Sequence, residues 1–320
     1  MNIQQQKSSK RKPLLAFLSL MLLPMITWGV NRIQIPPAQV IVPVVPSSAT
    51  FAGEKVEFNT SERRERMDRE LISFSYMHTN VLLTFKRANR YFPIVEPILR
   101  QNGIPDDFKY LMAIESNASP TARSSAGAVG LWQFMSATAK EYGLEVNDEV
   151  DERLHPVKAT QAACRYFKQA YARFGNWLSV AASYNAGQRR IGQAVEKQQT
   201  TNPMELWLNE ETSRYLYRLL AIKIVMSSPA DFGFRLTAES LYPTIKYDIN
   251  VVTDSIGDLT LYARRYGLSL LQLKEANPWL RGHELKNKLG KRYEIAIPKK
   301  ESLYYNPSDT KVHDSRWIVR

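Results

Sequence analysis

The sequence has few of the residues that form disulfide bonds or bind metal ions. Among 320 residues it has one cysteine, Cys164, so no intrachain disulfide can form; an exported protein tolerates that absence when its core is large enough. Cys164 lies in a helical pattern and is expected to be a buried apolar residue. The four histidines are scattered without metal-ligand spacing. We therefore expect no metal and no cofactor.

Acidic residues are outnumbered by basic ones. The chain has 43 Lys and Arg against 31 Asp and Glu, a net charge of +12. That balance favours an anionic partner, such as nucleic acid, a membrane surface or an acidic polymer, or it reflects solubility alone. No basic and aromatic recognition motif accompanies the charge, so nucleic acid is the least favoured partner.

The amino terminus has the order of an export signal. Basic residues between Lys7 and Lys12 precede an apolar run from Leu14 to Val30. We interpret residues 1–32 as a signal peptide or an N-terminal membrane anchor. No cysteine follows the run, which excludes a lipid-modified lipoprotein. The expected location is the periplasm or cell envelope, with the membrane as a partner if the segment is retained.

The rest of the chain divides by its texture. Residues 33–61 are rich in proline and predict a linker. Residues 62–235 form a series of helical patterns with short polar breaks, with a core at 90–235. Residues 243–299 have the order strand, helix, helix, strand, and residues 300–320 are polar and predict a loose tail. The predicted fold class is mainly α, an all-helical domain followed by a small α+β (βααβ) module.

One acidic residue stands out on a helix whose start Asp106 is predicted to cap. Phe108, Leu111, Met112 and Glu115 fall at i, i+3, i+4 and i+7, which places Glu115 in line with the apolar stripe. A carboxyl group in that position loses hydration, so its pKa should rise. Such an acid is suited to general-acid cleavage of a glycosidic bond. The alternative is a helix-end glutamate that turns to solvent or pairs with arginine.

A glycine-rich segment follows Glu115. Gly127 and Gly130 allow backbone to approach a ligand closely. Gln133 offers a donor and acceptors suited to an N-acetyl sugar, while Trp132 and Phe134 offer flat surface to a sugar ring or simply pack in the core. The residue types of this segment are compatible with a sugar-binding turn, and core packing of the two aromatic residues stays equally open.

Three ordered blocks carry a resemblance to the soluble lytic transglycosylase family, whose fold is goose-type lysozyme-like. The first is Glu115-Ser followed by Ala-Arg-Ser-Ser-Ala-Gly-Ala-Val-Gly-Leu-Trp-Gln133. The others are Ser183-Tyr-Asn-Ala-Gly187, with serine in place of the usual alanine, and Glu211-Thr-Ser-Arg-Tyr215. Val150-Asp-Glu-Arg153 fits the branch of membrane-bound lytic murein transglycosylase D. The resemblance covers about residues 90 to 235.

The resemblance implies a function and a set of site residues. Peptidoglycan glycan strands are the implied substrate, and the implied reaction cleaves the β-1,4 bond between N-acetylmuramic acid and N-acetylglucosamine with formation of a 1,6-anhydro ring. Glu115 is implied as the single catalytic acid and base. The residues implied to hold the sugars are Ser124, Gln133, Tyr184, Asn185 and Tyr215. Cell-wall synthesis or division proteins are the expected protein partners.

The C-terminal module resembles a lysin motif, a peptidoglycan-binding unit. The matching pieces are Ala263-Arg-Arg-Tyr-Gly267, then Asn277-Pro278 and Ile297-Pro298. At the sugar-binding turn, Gly257-Asp258 sits one residue out of register, with Asp254-Ser255-Ile256 in its place. The module is expected either to bind glycan or only to pack.

Two rival functions stay open. A lysozyme-type hydrolase needs two carboxylates, and no other acid lies between Glu115 and Glu141. A second carboxylate would have to fold back from the acidic residues that follow; these are Asp148, Glu149, Asp151 and Glu152. The other rival is an inactive peptidoglycan-binding protein, which the combination of Glu115, Gln133 and Tyr184 disfavours.

Overall fold

The computed structural model describes residues 41–319, so the predicted signal or anchor at residues 1–32 lies outside the described residues. Within the described part, no helix has both the length and the apolar character needed to cross a membrane. The helices are α1 Ser61–Tyr76, α2 His78–Gln101, α3 Phe108–Ser116, α4 Ser136–Glu141, α5 Pro156–Phe174, α6 Trp177–Ala186, α7 Gln188–Gln198, α8 Glu210–Ser227, α9 Leu259–Arg265 and α10 Leu270–Ala276. The strands are β1 Ser48–Phe51, β2 Glu54–Glu57, β3 Tyr247–Val252 and β4 Tyr293–Pro298.

The predicted linker is wrong in its second half. Strands β1 and β2 form an antiparallel hairpin, with Ser48 opposite Glu57. Its turn places Ala52 and Gly53 at φ +53° and +84°, the left-handed conformations that suit a two-residue hairpin turn. Phe51 is fully buried against the helices. The prolines that suggested a linker all precede this hairpin. The short alternation of apolar and polar residues after them is the pattern that forms its strands.

Helix α3 is the centre of the helical domain. The ring of Phe108 lies 5.1 Å from Phe51, 4.4 Å from Phe167 and 5.4 Å from Trp177, which joins α3 to β1, α5 and α6. Leu111 and Met112, on the same helix face, are also fully buried. Burying side chains of this size stabilises the fold by about 1.5–3 kcal/mol each.

The predicted cap of α3 is incorrect. The N-cap position belongs to Asp107 instead of Asp106, and its side chain makes no capping hydrogen bond. The Asp107 carboxylate instead accepts from the Ala52 amide and from Lys223 Nζ of α8, each at 2.7 Å. These two contacts explain the difference, because they tie the hairpin and α8 to the start of α3.

The predicted loose tail is also wrong. Trp317 is only 2% exposed, its indole N–H donates to the Met226 carbonyl at 2.8 Å, and its ring packs on Phe85 and Phe92. Ile318 bridges to Leu236 in parallel. Trp317 is one anchor of an otherwise polar segment, and the His313 amide adds another by donating to Asn89 at 2.8 Å. The average polarity of residues 300–320 therefore conceals its packing.

The C-terminal module, residues 247–298, has the predicted strand, helix, helix, strand order. Strands β3 and β4 pair antiparallel, and α9 and α10 lie between them in the chain. Its core is continuous with Val129, Val150 and Leu154 of the helical domain. At the predicted sugar-binding turn, Asp258 caps α9 by accepting from the Thr260 and Leu261 amides.

The hairpin yields a stability prediction. Phe51→Ala should lower the free energy of unfolding of the helical domain by about 3–5 kcal/mol, because the cavity opens beside Phe108. Tyr304→Ala, at a side chain 70% exposed, should change it by less than about 0.5 kcal/mol. Urea unfolding followed by circular dichroism measures both. Equal effects of the two substitutions would show that residues 48–57 do not belong to the domain core.

Candidate active site

Glu115 lies in the last turn of α3, one residue before the helix ends. The helix stops because Asn117 and Ala118 adopt left-handed φ values of +50° and +53°. Only part of the Glu115 side chain reaches solvent, and burial raises its pKa from 4.5 to about 7. The sequence prediction of a desolvated acid on the apolar face is therefore matched by the geometry. At neutral pH a large share of this carboxyl group carries its proton.

Tyr215 of α8 is the direct partner of this acid. Its hydroxyl donates to Glu115 Oε1 at 2.6 Å, and the side chain is 4% exposed. Burial raises the pKa of the Tyr215 phenol well above its usual range, and the nearby Glu115 carboxylate raises it further. Tyr215 therefore remains a hydrogen-bond donor at any physiological pH.

Two charged residues on the same face of α8 tune the acid, and the sequence reasoning missed them in that role. Glu211 and Arg218 lie one turn before and one turn after Tyr215. Arg218 lowers the Glu115 pKa and Glu211 raises it, and both effects are smaller than that of burial. The sequence did offer a signal for this role. Glu211 lies four residues before Tyr215 and Arg218 three residues after it, and such positions share a helix face.

Tyr184 of α6 holds the glycine-rich segment in place. Its hydroxyl donates to the Trp132 carbonyl at 2.6 Å, and its ring packs against Phe134 and Phe167. Burial, and next the charge of Glu115, raise the pKa of the Tyr184 phenol well above its usual range. Tyr184 thus ties the segment to α6 and lies close enough to Glu115 for the charge of that carboxyl to act on it.

The glycine-rich segment, residues 122–134, is folded by the residues that the resemblance assigned to sugar binding. The Ser124 hydroxyl accepts from the Ala128 amide at 3.0 Å. Gln133 adopts φ +48° and donates its side-chain amide to the carbonyls of Ala122 and Gly130. Within the described residues its Oε1 accepts no hydrogen bond and remains available. Ser124 and Gln133 therefore shape the segment, and among the described residues neither side chain forms a hydrogen bond with Glu115.

Asn185 follows Tyr184 near the end of α6 and is half-buried. Its amide forms no hydrogen bond with the described residues. The structure therefore brings Tyr215 and Tyr184 to Glu115, places Ser124 and Gln133 on one segment, and leaves the role of Asn185 as a prediction.

A buried ion pair braces the segment from behind. Arg153 donates to both carboxylate oxygens of Asp151 at 2.8 and 2.9 Å, and to the carbonyls of Gly127 and Phe134 at 3.2 Å. A side chain at Gly130 would place its Cβ 1.9 Å from the Arg153 carbonyl oxygen. The segment therefore rests directly on the backbone of Arg153, and only glycine fits there.

The acids that were candidates for a second carboxylate are used elsewhere. Asp151 pairs with Arg153, Glu152 pairs with Lys158, and Glu149 pairs with Lys286 of the C-terminal module. The fourth, Asp148, is exposed. Among the described acids, Glu211 is the one whose charge reaches Glu115.

Comparison with known proteins identifies both parts of the chain. Residues 93–206 match the family model of the transglycosylase SLT domain, and residues 248–301 match that of the soluble lytic transglycosylase C-terminal LysM-like domain. The chain therefore carries a region that matches an SLT transglycosylase domain, followed by a region that matches a LysM-like domain. These matches confirm the resemblance drawn from the sequence.

Among its relatives, the chain is homologous to membrane-bound lytic murein transglycosylase D of Escherichia coli K12. The two are 27% identical over 260 residues, which is 79% of this chain and 56% of that protein. The chain thus spans little more than half the length of this relative. Peptidoglycan transglycosylase gp16 of Escherichia phage T7 is 35% identical over 124 residues, 38% of this chain and 9% of that protein. The 70 kDa soluble lytic transglycosylase of Escherichia coli aligns with 44% of this chain and 25% of its own, with 22% identity and a TM-score of 0.38.

The raised pKa of Glu115 predicts a pH-dependent effect on stability. Below pH 4.5 the carboxyl group is protonated in both the folded and the unfolded chain, so it adds no pH dependence. Between pH 4.5 and about 7 the unfolded chain releases the proton first, so stability falls as pH rises through this window. Glu115→Gln should remove this loss. Between pH 4 and pH 8 the variant should therefore lose about 2–3 kcal/mol less free energy of unfolding than the unmodified chain does.

Urea unfolding at both pH values measures this difference. Glu141→Gln, at an exposed glutamate of α4, is the matched control and should leave the pH dependence unchanged. Identical pH profiles for Glu115→Gln and the unmodified chain would show that the Glu115 carboxyl is not desolvated.

The glycine pair of the segment gives a second stability prediction. Gly130→Ala should lower the free energy of unfolding by more than about 3 kcal/mol, because Cβ would overlap the Arg153 carbonyl. Gly127→Ala, at a similar φ of +89° but facing open space, should cost only the backbone strain of about 1–2 kcal/mol. Thermal unfolding compares the two, and equal costs would mean that Gly130 does not rest on Arg153.

Proposed function

We propose that this chain is a peptidoglycan lytic transglycosylase that cuts the β-1,4 bond between N-acetylmuramic acid and N-acetylglucosamine. The observation that carries the proposal is the partly buried Glu115 with its pKa raised to about 7 and its Oε1 held by Tyr215. A group with that pKa gives up and takes back a proton at neutral pH with nearly equal ease. The SLT domain match and the homology to transglycosylase D support the same assignment.

In the first step Glu115 acts as the acid. Tyr215 occupies Oε1, so Oε2 is the oxygen that carries the proton to the glycosidic oxygen. The bond from muramyl C1 to that oxygen breaks, and the N-acetylglucosamine portion leaves as an alcohol. The acetamido group of the muramyl unit stabilises the cation-like C1, a substrate-assisted route. Tyr215 keeps its hydrogen bond to Glu115 and so stabilises the carboxylate that forms.

In the second step the Glu115 carboxylate acts as the base. It accepts the proton of the muramyl C6 hydroxyl while O6 bonds to C1 and closes the 1,6-anhydro ring. Glu115 regains its proton, and no water is consumed. One carboxyl group thus serves both steps in sequence, which suits a chain in which the other acids near the segment are held in ion pairs.

We assign the other sugar contacts as follows. Gln133 Oε1 and the Asn185 amide offer hydrogen bonds to sugar hydroxyl and acetamido groups. Ser124 and Tyr184 contribute by fixing the segment that carries Gln133, alongside any sugar contact of their own. The C-terminal module adds a second attachment to the same polymer.

Location and partners follow from the same assignment. We infer export to the periplasm or cell envelope from the basic and apolar residues before position 33. The membrane is a further contact if that segment is retained. The expected macromolecular partner is peptidoglycan, with cell-wall synthesis or division proteins as regulators.

A lysozyme-type hydrolysis is the second candidate, because the exposed Glu211 carboxylate faces Glu115 from α8. In that reaction Glu211 would act as the second carboxylate, on water or at C1, and would be essential. In the transglycosylase reaction it only raises the Glu115 pKa, so its loss would be mild.

Mass spectrometry of the fragments released from purified peptidoglycan sacculi tests the proposal. The unmodified chain should yield muropeptides about 18 Da lighter than hydrolytic products, and Glu115→Gln should yield none above background because an amide cannot donate the proton. Glu211→Gln is the matched control and should still yield the lighter products. Reducing muramic ends that disappear in Glu211→Gln would replace the proposal with hydrolysis.

A further inference from the structure

A cavity lies where the helical domain meets the C-terminal module. It has a volume of about 550 Å³, within the roughly 300–1,000 Å³ range of small-molecule sites. The helical domain contributes Tyr91 of α2, Pro120 and His155, and the module contributes Tyr247 of β3 and Trp279. Pro120 belongs to the loop that follows α3, so this part of the cavity lining is close in sequence to Glu115 of the candidate active site.

Flat aromatic surfaces from both sides line this cavity. Tyr91 and Tyr247 are close enough for Tyr91 to help raise the pKa of Tyr247 to about 12, after burial as the main cause. Trp279 is held by stacking on Tyr293 at 5.7 Å and by the His155 ring at 5.8 Å. The walls are thus rigid and apolar, which favours a ligand with an apolar face.

The buried imidazole of His155 in the cavity wall is neutral. Burial lowers the pKa of His155 to about 4, so its imidazole is uncharged at physiological pH. Its Nδ1 is buried with no hydrogen-bond partner among the described residues, and buried polar atoms of that kind are rare. Neutral donors and acceptors beside apolar walls suit hydroxyl and amide groups rather than charged ones.

The charged residues of the lining leave no net positive charge for an acidic ligand. Lys158 pairs with Glu152, Arg292 pairs with Glu294, and Glu275 adds an exposed carboxylate that has no ion pair among the described residues. This balance disfavours an acidic ligand such as a peptide carboxylate. A ring with one apolar face, several hydroxyls and an acetamido group, the chemistry of an N-acetylhexosamine, is the ligand that these features fit best.

We propose that this cavity is an accessory sugar site, which binds an N-acetylhexosamine unit of the glycan strand outside the catalytic cleft. It rests on the proposed function, since that function supplies the polymer. The site is separate from the groove of about 360 Å³ at the predicted sugar-binding turn of the module, and the two share no lining residue. Because both domains form its walls, an occupied site would hold a strand across their junction.

Nuclear magnetic resonance of the tryptophan indole groups tests the site directly. The probe is chitotetraose, added to the full chain carrying Glu115→Gln so that the ligand is not cut. The chain has six tryptophans, and Trp279→Phe assigns the reporting signal. The Trp279 indole signal should shift in a saturable manner. Gln161→Trp, which fills the cavity from an exposed position on α5, should weaken that response at least tenfold.

The control and the contrary results are distinct. Ala172→Trp, exposed on α5 but outside the cavity, should leave the Trp279 titration unchanged. Tyr247→Ala should weaken it as Gln161→Trp does, which separates lost packing from steric blocking. An unmoved Trp279 signal, or an equal response in Gln161→Trp and Ala172→Trp, overturns the proposal. The anhydro-product assay uses the active chain, so a failure there counts against the proposed function and not against this binding result.

Discussion

The hydrogen bond between Tyr215 and Glu115 is the contact on which the chemistry of the candidate active site depends. It stabilises the ionised carboxyl and so opposes the desolvation that raises the pKa, yet desolvation dominates. The balance leaves an acid near pKa 7 whose one oxygen is fixed and whose other oxygen is free to exchange a proton. Helix α3 supplies the acid and helix α8 the phenol, so any motion between the two helices would upset this balance.

Much of the helical domain serves to hold those two helices together. Phe108 packs the start of α3 against α5, α6 and the hairpin, and Asp107 ties that start to Lys223 of α8. The glycine-rich segment is held by two side chains. Tyr184 donates to the Trp132 carbonyl, and Arg153 donates to the Phe134 carbonyl. Asp151, which orients Arg153, donates its amide to the Trp279 carbonyl of the C-terminal module. The module is therefore connected to the candidate site through three consecutive polar contacts.

The sequence predicted the elements whose signals are local. Helical spacing placed Glu115 with Phe108, Leu111 and Met112, and the strand, helix, helix, strand order of the module followed from short runs. Ordered motifs then named Tyr184 and Tyr215 near the acid. The hairpin at 48–57 and the anchored tail escaped prediction because they are held by contacts with residues distant in sequence, among them those of the aromatic rings of Phe51 and Trp317. The composition of a segment gives its average polarity or proline content and does not show which of its residues pack in the core.

The electrostatic details could not be read from the chain for a related reason. The roles of Arg218 and Glu211 depend on how α8 is rotated toward α3, and the brace by Arg153 depends on a carbonyl contact at Gly130. The resemblance indicated that Gln133 and Ser124 matter, and the structure adds that their polar groups first fold their own segment. A sequence motif shows which residues occur together. The three-dimensional structure shows which of them use their polar groups to hold the fold and which leave them available to a ligand.

The most direct test of this account is the titration of the Glu115 carboxyl itself. Difference infrared spectroscopy between the unmodified chain and Glu115→Gln isolates its carbonyl band, which can be followed as a function of pH. The account predicts a protonated carboxyl band that persists to a midpoint near pH 7, the value that burial imposes. A midpoint near the ordinary value of 4.5 would show that the group is solvated and would contradict the role of Glu115 as acid.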